Sequence, residues 1–158
     1  MNKENIWGSF ASSWHDMNEA KSLVEEERTE DIKNFFMPSV YSIIKNNAIL
    51  RFSEIGTGNG LLFKDLLVLR KDYPNIIFKG YDLNKKCIET AKEKFENDNI
   101  IFEELDGISV VKKDQKEGIN SIIYLFRGTL EYFSEIEIRE FFNLVSKMNN
   151  TFIILYEP

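Results

Sequence analysis

Three glycines at alternate positions, Gly56, Gly58 and Gly60, follow an acid, Glu54, at the end of the apolar run Ile49-Leu50-Arg51-Phe52-Ser53-Glu54-Ile55. Glycine lacks a Cβ, so this turn is free to adopt positive φ and to bring its backbone into contact with a ligand. A carboxylate beside such a turn suits a ligand that carries an ammonium group and opposes a pyrophosphate. The dinucleotide fingerprint G-x-G-x-x-G does not fit, because its third glycine falls on Leu61 when counted from Gly56 and on Phe63 when counted from Gly58. The competing reading leaves Glu54 as an acid that caps a loop and the glycines as an ordinary strand-to-helix turn.

Two further acids stand at comparable places. Asp82 closes the run Asn75-Ile76-Ile77-Phe78-Lys79-Gly80-Tyr81. An acid at the tip of a second strand accepts both hydroxyls of a ribose; the alternative is a helix-capping acid. Asp106 follows the run Ile100-Ile101-Phe102-Glu103-Glu104-Leu105, where Glu103, Glu104 and Asp106 also read as a solvated edge. A fourth apolar run, Ile119 to Phe126, breaks at Arg127-Gly128, and a fifth spans Thr151 to Tyr156.

Positioning these tips requires helices between the strands. Leu62, Phe63, Leu66, Leu67 and Leu69 have helical spacing directly after the glycines, so the turn is expected to open onto a helix N-terminus. Asn84 reads as an N-cap for a helix with Cys87, Ile88, Ala91 and Phe95 on one face. Ser134 and Glu137 form a capping box before Ile138, Phe141, Phe142, Val145 and Met148. Upstream, Thr29 is a candidate N-cap for a helix with Ile32, Phe35, Phe36, Val40 and Ile43 inward and a kink at Pro38. Alternating strands and helices predict an α/β fold, a Rossmann-like doubly wound parallel sheet of about five strands in the order 3-2-1-4-5 with right-handed crossovers. In that order the glycine turn, Asp82, Asp106 and the Phe126-Arg127-Gly128 break converge on one edge.

The acid-x-G-x-G-x-G run from Glu54 to Gly60 resembles the first motif of the class I S-adenosylmethionine-dependent methyltransferases, and Gly128-Thr129-Leu130-Glu131-Tyr132-Phe133 resembles that family's loop after strand four. The resemblance implies S-adenosyl-L-methionine as cofactor and S-adenosyl-L-homocysteine as product. It implies that Glu54, Ile55, Gly56, Thr57, Gly58 and Gly60 cradle the cofactor, with Asp82 on the ribose and Leu83 against the adenine. Asp106 would accept from the adenine amino group, with Gly107 and Ile108 beside the ring and Phe126 and Arg127 at the end of strand four. The aromatics Trp7, Phe10 and Trp14 would belong to a helical lid, though they serve equally to pack on the sheet.

Methyl transfer needs alignment and exclusion of water more than acid–base help, so catalytic residues are poorly marked. His15, the one histidine, and Glu131 and Tyr132 are the candidates. The segment Phe126-Arg127-Gly128-Thr129 lacks the Asn/Asp-Pro-Pro-Tyr/Phe loop of amino-methylating enzymes, a Pro-Cys nucleophile and a metal-binding acid. A small-molecule acceptor is therefore expected, with a protein side chain as a further possibility, and no metal.

At 158 residues the chain is expected to be a single domain, with 1–29 as a lid segment and 30–158 as a cofactor-binding core that ends after the fifth strand. A net charge of −6 argues against a nucleic-acid surface. One cysteine, Cys87, excludes an internal disulfide and a multi-cysteine zinc site. No segment approaches the ~20 apolar residues of a membrane span, and the polar start is unlike a signal peptide, so a cytoplasmic location is expected. The resembling family has seven strands. An apolar fifth strand left as an edge calls for cover from a partner chain, a homodimer mate or further sequence. The alternative to an active enzyme is accordingly a non-catalytic or partner-dependent methyltransferase-like subunit.

Overall fold

The computed structural model describes residues 30–126 and 128–156. The chain divides into two compact units, Met1–Ala48 and Ile49–Pro158.

In the first unit a π-helical turn, Ile32–Phe36, runs into helix α1, Met37–Asn46. Pro38 occupies the first turn of α1, where a missing N–H costs nothing, so it begins the α-helix instead of kinking one. The wide turn shifts the buried face to a spacing of four, Ile32, Phe36, Val40 and Ile44, and leaves Phe35 63% exposed. Phe35 and Ile43 are thus not the inward residues that α-helical spacing alone predicts.

The second unit is the expected sheet. Strands β1 (Arg51–Ile55), β2 (Ile77–Asp82), β3 (Ile101–Glu104), β4 (Ser121–Phe126) and β5 (Thr151–Tyr156) lie in the order β3-β2-β1-β4-β5. Every neighbouring pair is parallel. All five residues of β1 are buried, as a central parallel strand covered on both faces requires. Helix α2 covers only Phe63–Leu66 and passes into a 3₁₀ turn, Leu67–Lys71. It is followed by α3 (Lys85–Lys94), α4 (Gly107–Glu117) and α5 (Glu135–Val145). Asn84 caps α3 through Lys86 and Cys87, and Ser134 with Glu137 forms the capping box of α5.

Side-chain alternation splits the core into two layers. On one face Ile55, Tyr81, Ile123 and Leu125 pack with Ile108, Val110 and Val111 of α4 and Phe141 and Val145 of α5. On the other, Phe63 meets Phe78, Phe95 and Phe102 edge-on, with ring centroids 6.1, 6.4 and 5.4 Å apart.

Beneath α4 lies a buried ion cluster. Arg51, 1% exposed, donates from Nη1 to Asp114 Oδ1 at 2.5 Å and from Nη2 to Glu117, while Ser53 Oγ donates to Asp114 Oδ2 at 3.2 Å. The nearby Tyr81 hydroxyl is buried with no hydrogen-bond partner among the described residues. Burial, and after it the carboxylates of Asp114 and Glu103, push its pKa up, so it stays protonated. These two groups predict opposite outcomes. Asp114→Ala leaves the buried Arg51 charge with Glu117 as its remaining ion-pair partner and Ser53 Oγ without its acceptor, and is expected to cost about 3 kcal/mol, the lower end of the range for breaking a buried pair. Tyr81→Phe removes a polar atom that has no partner and is expected to leave stability within about 1 kcal/mol of wild type, or to raise it. Urea midpoints measure both, and a Tyr81→Phe loss as large as that of Asp114→Ala would contradict the assignment.

Candidate functional site

The parallel register sets Ile55 beside Tyr81 and so brings the glycine turn against the tip of β2. The N–H groups of Gly56 and Thr57 both donate to the Tyr81 carbonyl, at 2.8 and 2.9 Å. Gly58 N–H donates to Asp82 Oδ2 at 2.8 Å, and Asn84 N–H donates to Asp82 Oδ1 at 2.8 Å. Bonds of this charge-assisted kind are worth about 1.5–3 kcal/mol each. Burial pushes the Asp82 pKa above its ordinary value, with the N–H groups of Asn84, Gly58 and Leu83 pulling the other way. Asp82 therefore does more than cap a helix: its carboxylate ties the turn after β1 to the start of α3.

Gly56, Gly58 and Gly60 all have positive φ, at 76°, 53° and 73°. They differ in what surrounds them. A Cβ on Gly56 would stand 2.6 Å from Thr129 Oγ1, and one on Gly60 would meet Phe102 at 3.0 Å and Phe95 at 3.1 Å. A Cβ on Gly58 would have nothing within 4 Å among the described residues. In Gly56 and Gly60 the Cβ direction is thus taken by protein, although Gly56 itself stays exposed, and of the three only the half-buried Gly58, its N–H anchored on Asp82, has that direction open among the described residues. Gly80 inside β2 belongs with the packed pair, since a Cβ there would lie 2.7 Å from the Phe102 ring and 2.9 Å from Thr57 Oγ1. A lone glycine within an apolar strand is the signal of that close approach.

Glu54 is buried and accepts from Thr57 Oγ1 at 2.6 Å, so it braces the turn from below. Leu83, the residue after β2 and Asp82, is an apolar side chain left 49% exposed. Asp106 N-caps α4: its Oδ1 accepts from Ser109 N–H at 2.9 Å and its Oδ2 from Ser109 Oγ at 2.6 Å. The amide of Leu105 donates to the Asp82 carbonyl at 3.1 Å, which draws the exit of β3 to the same edge. The Cβ direction of Gly107 is filled by Phe133 at 2.5 Å and Ile55 at 3.1 Å, so its bareness serves packing. Phe126 ends β4 half-buried, stacked on Tyr156 with centroids 5.3 Å apart. Glu131 and Tyr132 lie exposed on the 3₁₀ turn Leu130–Tyr132. Arg127 and His15, with Trp7, Phe10, Trp14 and Thr29, lie outside the described residues. The turn does not open onto a long helix: α2 has four residues and no side-chain cap, so the backbone N–H groups and Asp82, not a helix dipole, set the local field. Among the described residues no group of three or more His, Cys, Asp or Glu is arranged to hold a metal.

A five-stranded parallel sheet in the order β3-β2-β1-β4-β5, with a glycine turn after its central strand and an acid at the tip of the next, is the class I methyltransferase fold. No protein-family model matches the chain, and no curated protein is significantly similar to it. Solved structures carry the likeness. The PH0226 protein from Pyrococcus horikoshii OT3 superposes with TM-score 0.60 at 19% identity, over 84% of this chain and 57% of that one. The plantazolicin methyltransferase BpumL, solved with a pentazolic desmethylPZN analog and SAH, gives TM-score 0.52 at 14% identity, over 98% of this chain and 59% of that one. PKMT2 from Rickettsia typhi, solved with AdoHcy, gives TM-score 0.54 at 22% identity, over 73% of this chain and 23% of that one. The aligned region thus spans under two thirds of each of these three chains.

The surroundings of the glycines separate two substitutions. Gly58→Ala is expected to cost only the left-handed backbone, about 1–2 kcal/mol. Gly60→Ala also forces Phe102 and Phe95 aside, adding about 1–3 kcal/mol of overpacking. Equal denaturation midpoints for the two variants would contradict the packing described.

Proposed function

We propose that this chain binds S-adenosylmethionine at the tips of β1 and β2 and transfers its methyl group to a small-molecule acceptor. The observation that carries this reading is the Cβ direction of Gly58, open among the described residues, with the Gly58 N–H anchored by Asp82 and the exposed apolar Leu83 next to Asp82 in the chain. These residues fit a ligand with a ribose and an adenine. Each Asp82 oxygen accepts one backbone N–H and keeps a further lone pair for a hydroxyl. Leu83 offers an apolar surface to a flat ring. The bound group would supply an electrophilic methyl on a sulfonium. Glu54, Ile55, Gly56, Thr57 and Gly60 shape the turn beneath it, with Asp106, Gly107 and Phe126 completing the rim; Arg127, outside the described residues, remains a cofactor-binding candidate from the sequence. Asp106 has each oxygen engaged by Ser109, so it contributes only its second lone pairs. Solved neighbours with SAH or AdoHcy bound, BpumL and PKMT2, support the choice of cofactor. On the acceptor side Glu131 and Tyr132 are exposed beside the β4 tip, and His15 is the remaining candidate base. No helix among the described residues is long and apolar enough to cross a membrane, and we place the protein in the cytoplasm.

A second reading is favoured by one feature. The apolar strand β5 lies at the end of the sheet and is half-buried along most of its length. An edge of this kind suits a partner strand, so the chain would then be a cofactor-binding subunit, covered at β5 by another chain or by its own dimer mate.

Calorimetric titration with S-adenosylhomocysteine decides the cofactor. Micromolar-range affinity is expected, about −8 kcal/mol, falling at least about tenfold in Asp82→Ala, which loses two anchors of the site. Absence of heat at millimolar ligand would overturn the proposal.

A further inference from the structure

Thr129, in the connection from β4 to α5, meets the glycine turn at Gly56. The Cβ direction of Gly56 points into Thr129, 2.6 Å from Oγ1 and 2.9 Å from Cγ2, so the bare Cα of Gly56 is the seat of that side chain. Thr129 Oγ1 donates to the Phe126 carbonyl at 2.9 Å, which turns the chain back just past β4 and aims the side chain at the turn. The Thr129 carbonyl in turn accepts from Tyr132 N–H at 3.4 Å, and Leu130 from Phe133 N–H at 3.0 Å. These two bonds form the short segment that presents Glu131 and Tyr132. The far side of the glycine turn is held by β2, through the Tyr81 carbonyl and Asp82.

The structure assigns Thr129 the role of a positioning residue, one that carries the state of the cofactor turn to the acceptor-side segment Leu130–Tyr132. This rests on the cofactor reading above. The turn is gripped between Asp82 on one side and Thr129 on the other, with the Cβ direction of Gly58 open among the described residues. A ligand that orders the turn from its open face also orders whatever is seated on its closed face, without touching it. Thr129 acts through Gly56, and its hydroxyl bond to Phe126 keeps it there.

NMR-detected hydrogen exchange on the full chain, with and without S-adenosylhomocysteine, tests the assignment. In wild type and in Thr129→Ser, which keeps the hydroxyl, the ligand is expected to slow exchange at the Tyr132 and Phe133 amides. In Thr129→Val, which keeps the branched shape without the donor, that protection is lost and affinity falls about tenfold, within the usual range of coupling between sites. The urea midpoint of Thr129→Val stays near wild type; should that variant not fold, Thr129→Ala carries the same comparison. A merely structural role would lower the midpoint and leave ligand-dependent protection intact. Ligand binding by wild type with no protection at Tyr132 and Phe133, or protection unchanged in Thr129→Val, overturns this assignment alone. No binding by wild type overturns the cofactor reading and this one with it.

Discussion

A single carboxylate holds the site together. Asp82 accepts the N–H of Gly58 across the gap between β1 and β2 and the N–H of Asn84 within its own connection, each at 2.8 Å. A buried acid is costly to ionise, and its raised pKa reflects that cost. The N–H groups of Asn84, Gly58 and Leu83 offset it, and they come from the connections that follow β1 and β2. The arrangement exists because β1 and β2 pair in parallel with Ile55 beside Tyr81, which sets both loops at the same height. A register slip of one residue would turn Asp82 to the opposite face of the sheet.

Beneath that anchor the packing decides how much of the turn is available. Phe102 and Phe95 crowd Gly60, Thr129 crowds the Cβ side of Gly56, and Phe102 with Thr57 crowds Gly80, which leaves Gly58 as the glycine of the turn whose Cβ direction is open among the described residues. Glu54, buried in the middle of the sheet, is satisfied through the Thr57 hydroxyl and stiffens the turn that Asp82 holds. The Arg51 cluster plays no part in this edge. It occupies the opposite end of β1, fastening α4 to the sheet through Asp114 and Glu117.

The strand runs, the order of the sheet and the convergence of Glu54, Gly58 and Asp82 were legible because parallel strands covered on both faces are continuously apolar and end in polar turns. The caps at Asn84 and at Ser134 with Glu137 were legible too, since capping depends on residues two or three apart. Contacts between distant positions were not. Nothing near Gly60 announces that Phe102 and Phe95 will lie against it, and nothing near Gly56 announces Thr129. The apolar spacing from Leu62 to Leu69 is met equally by a helix of several turns and by four α-helical residues followed by a 3₁₀ turn, so its pattern overstated α2. The π-helical turn at Ile32–Phe36 moved the buried face from Ile43 to Ile44 for a similar reason: periodicity fixes a face only when the helix type is known. Asp106 carried a local signal, Ser109 three residues on, that marks it as a cap as clearly as a ring-binding acid.

The most direct measurement is a crystal structure of the protein grown with S-adenosylhomocysteine. Ligand density is expected along the tips of β1 and β2, with ribose hydroxyls on Asp82, purine against Leu83, and the backbone of Gly58 in contact with the ligand. Density elsewhere on the molecule, or a ligand-free turn with the Gly58 face closed by protein, would contradict it.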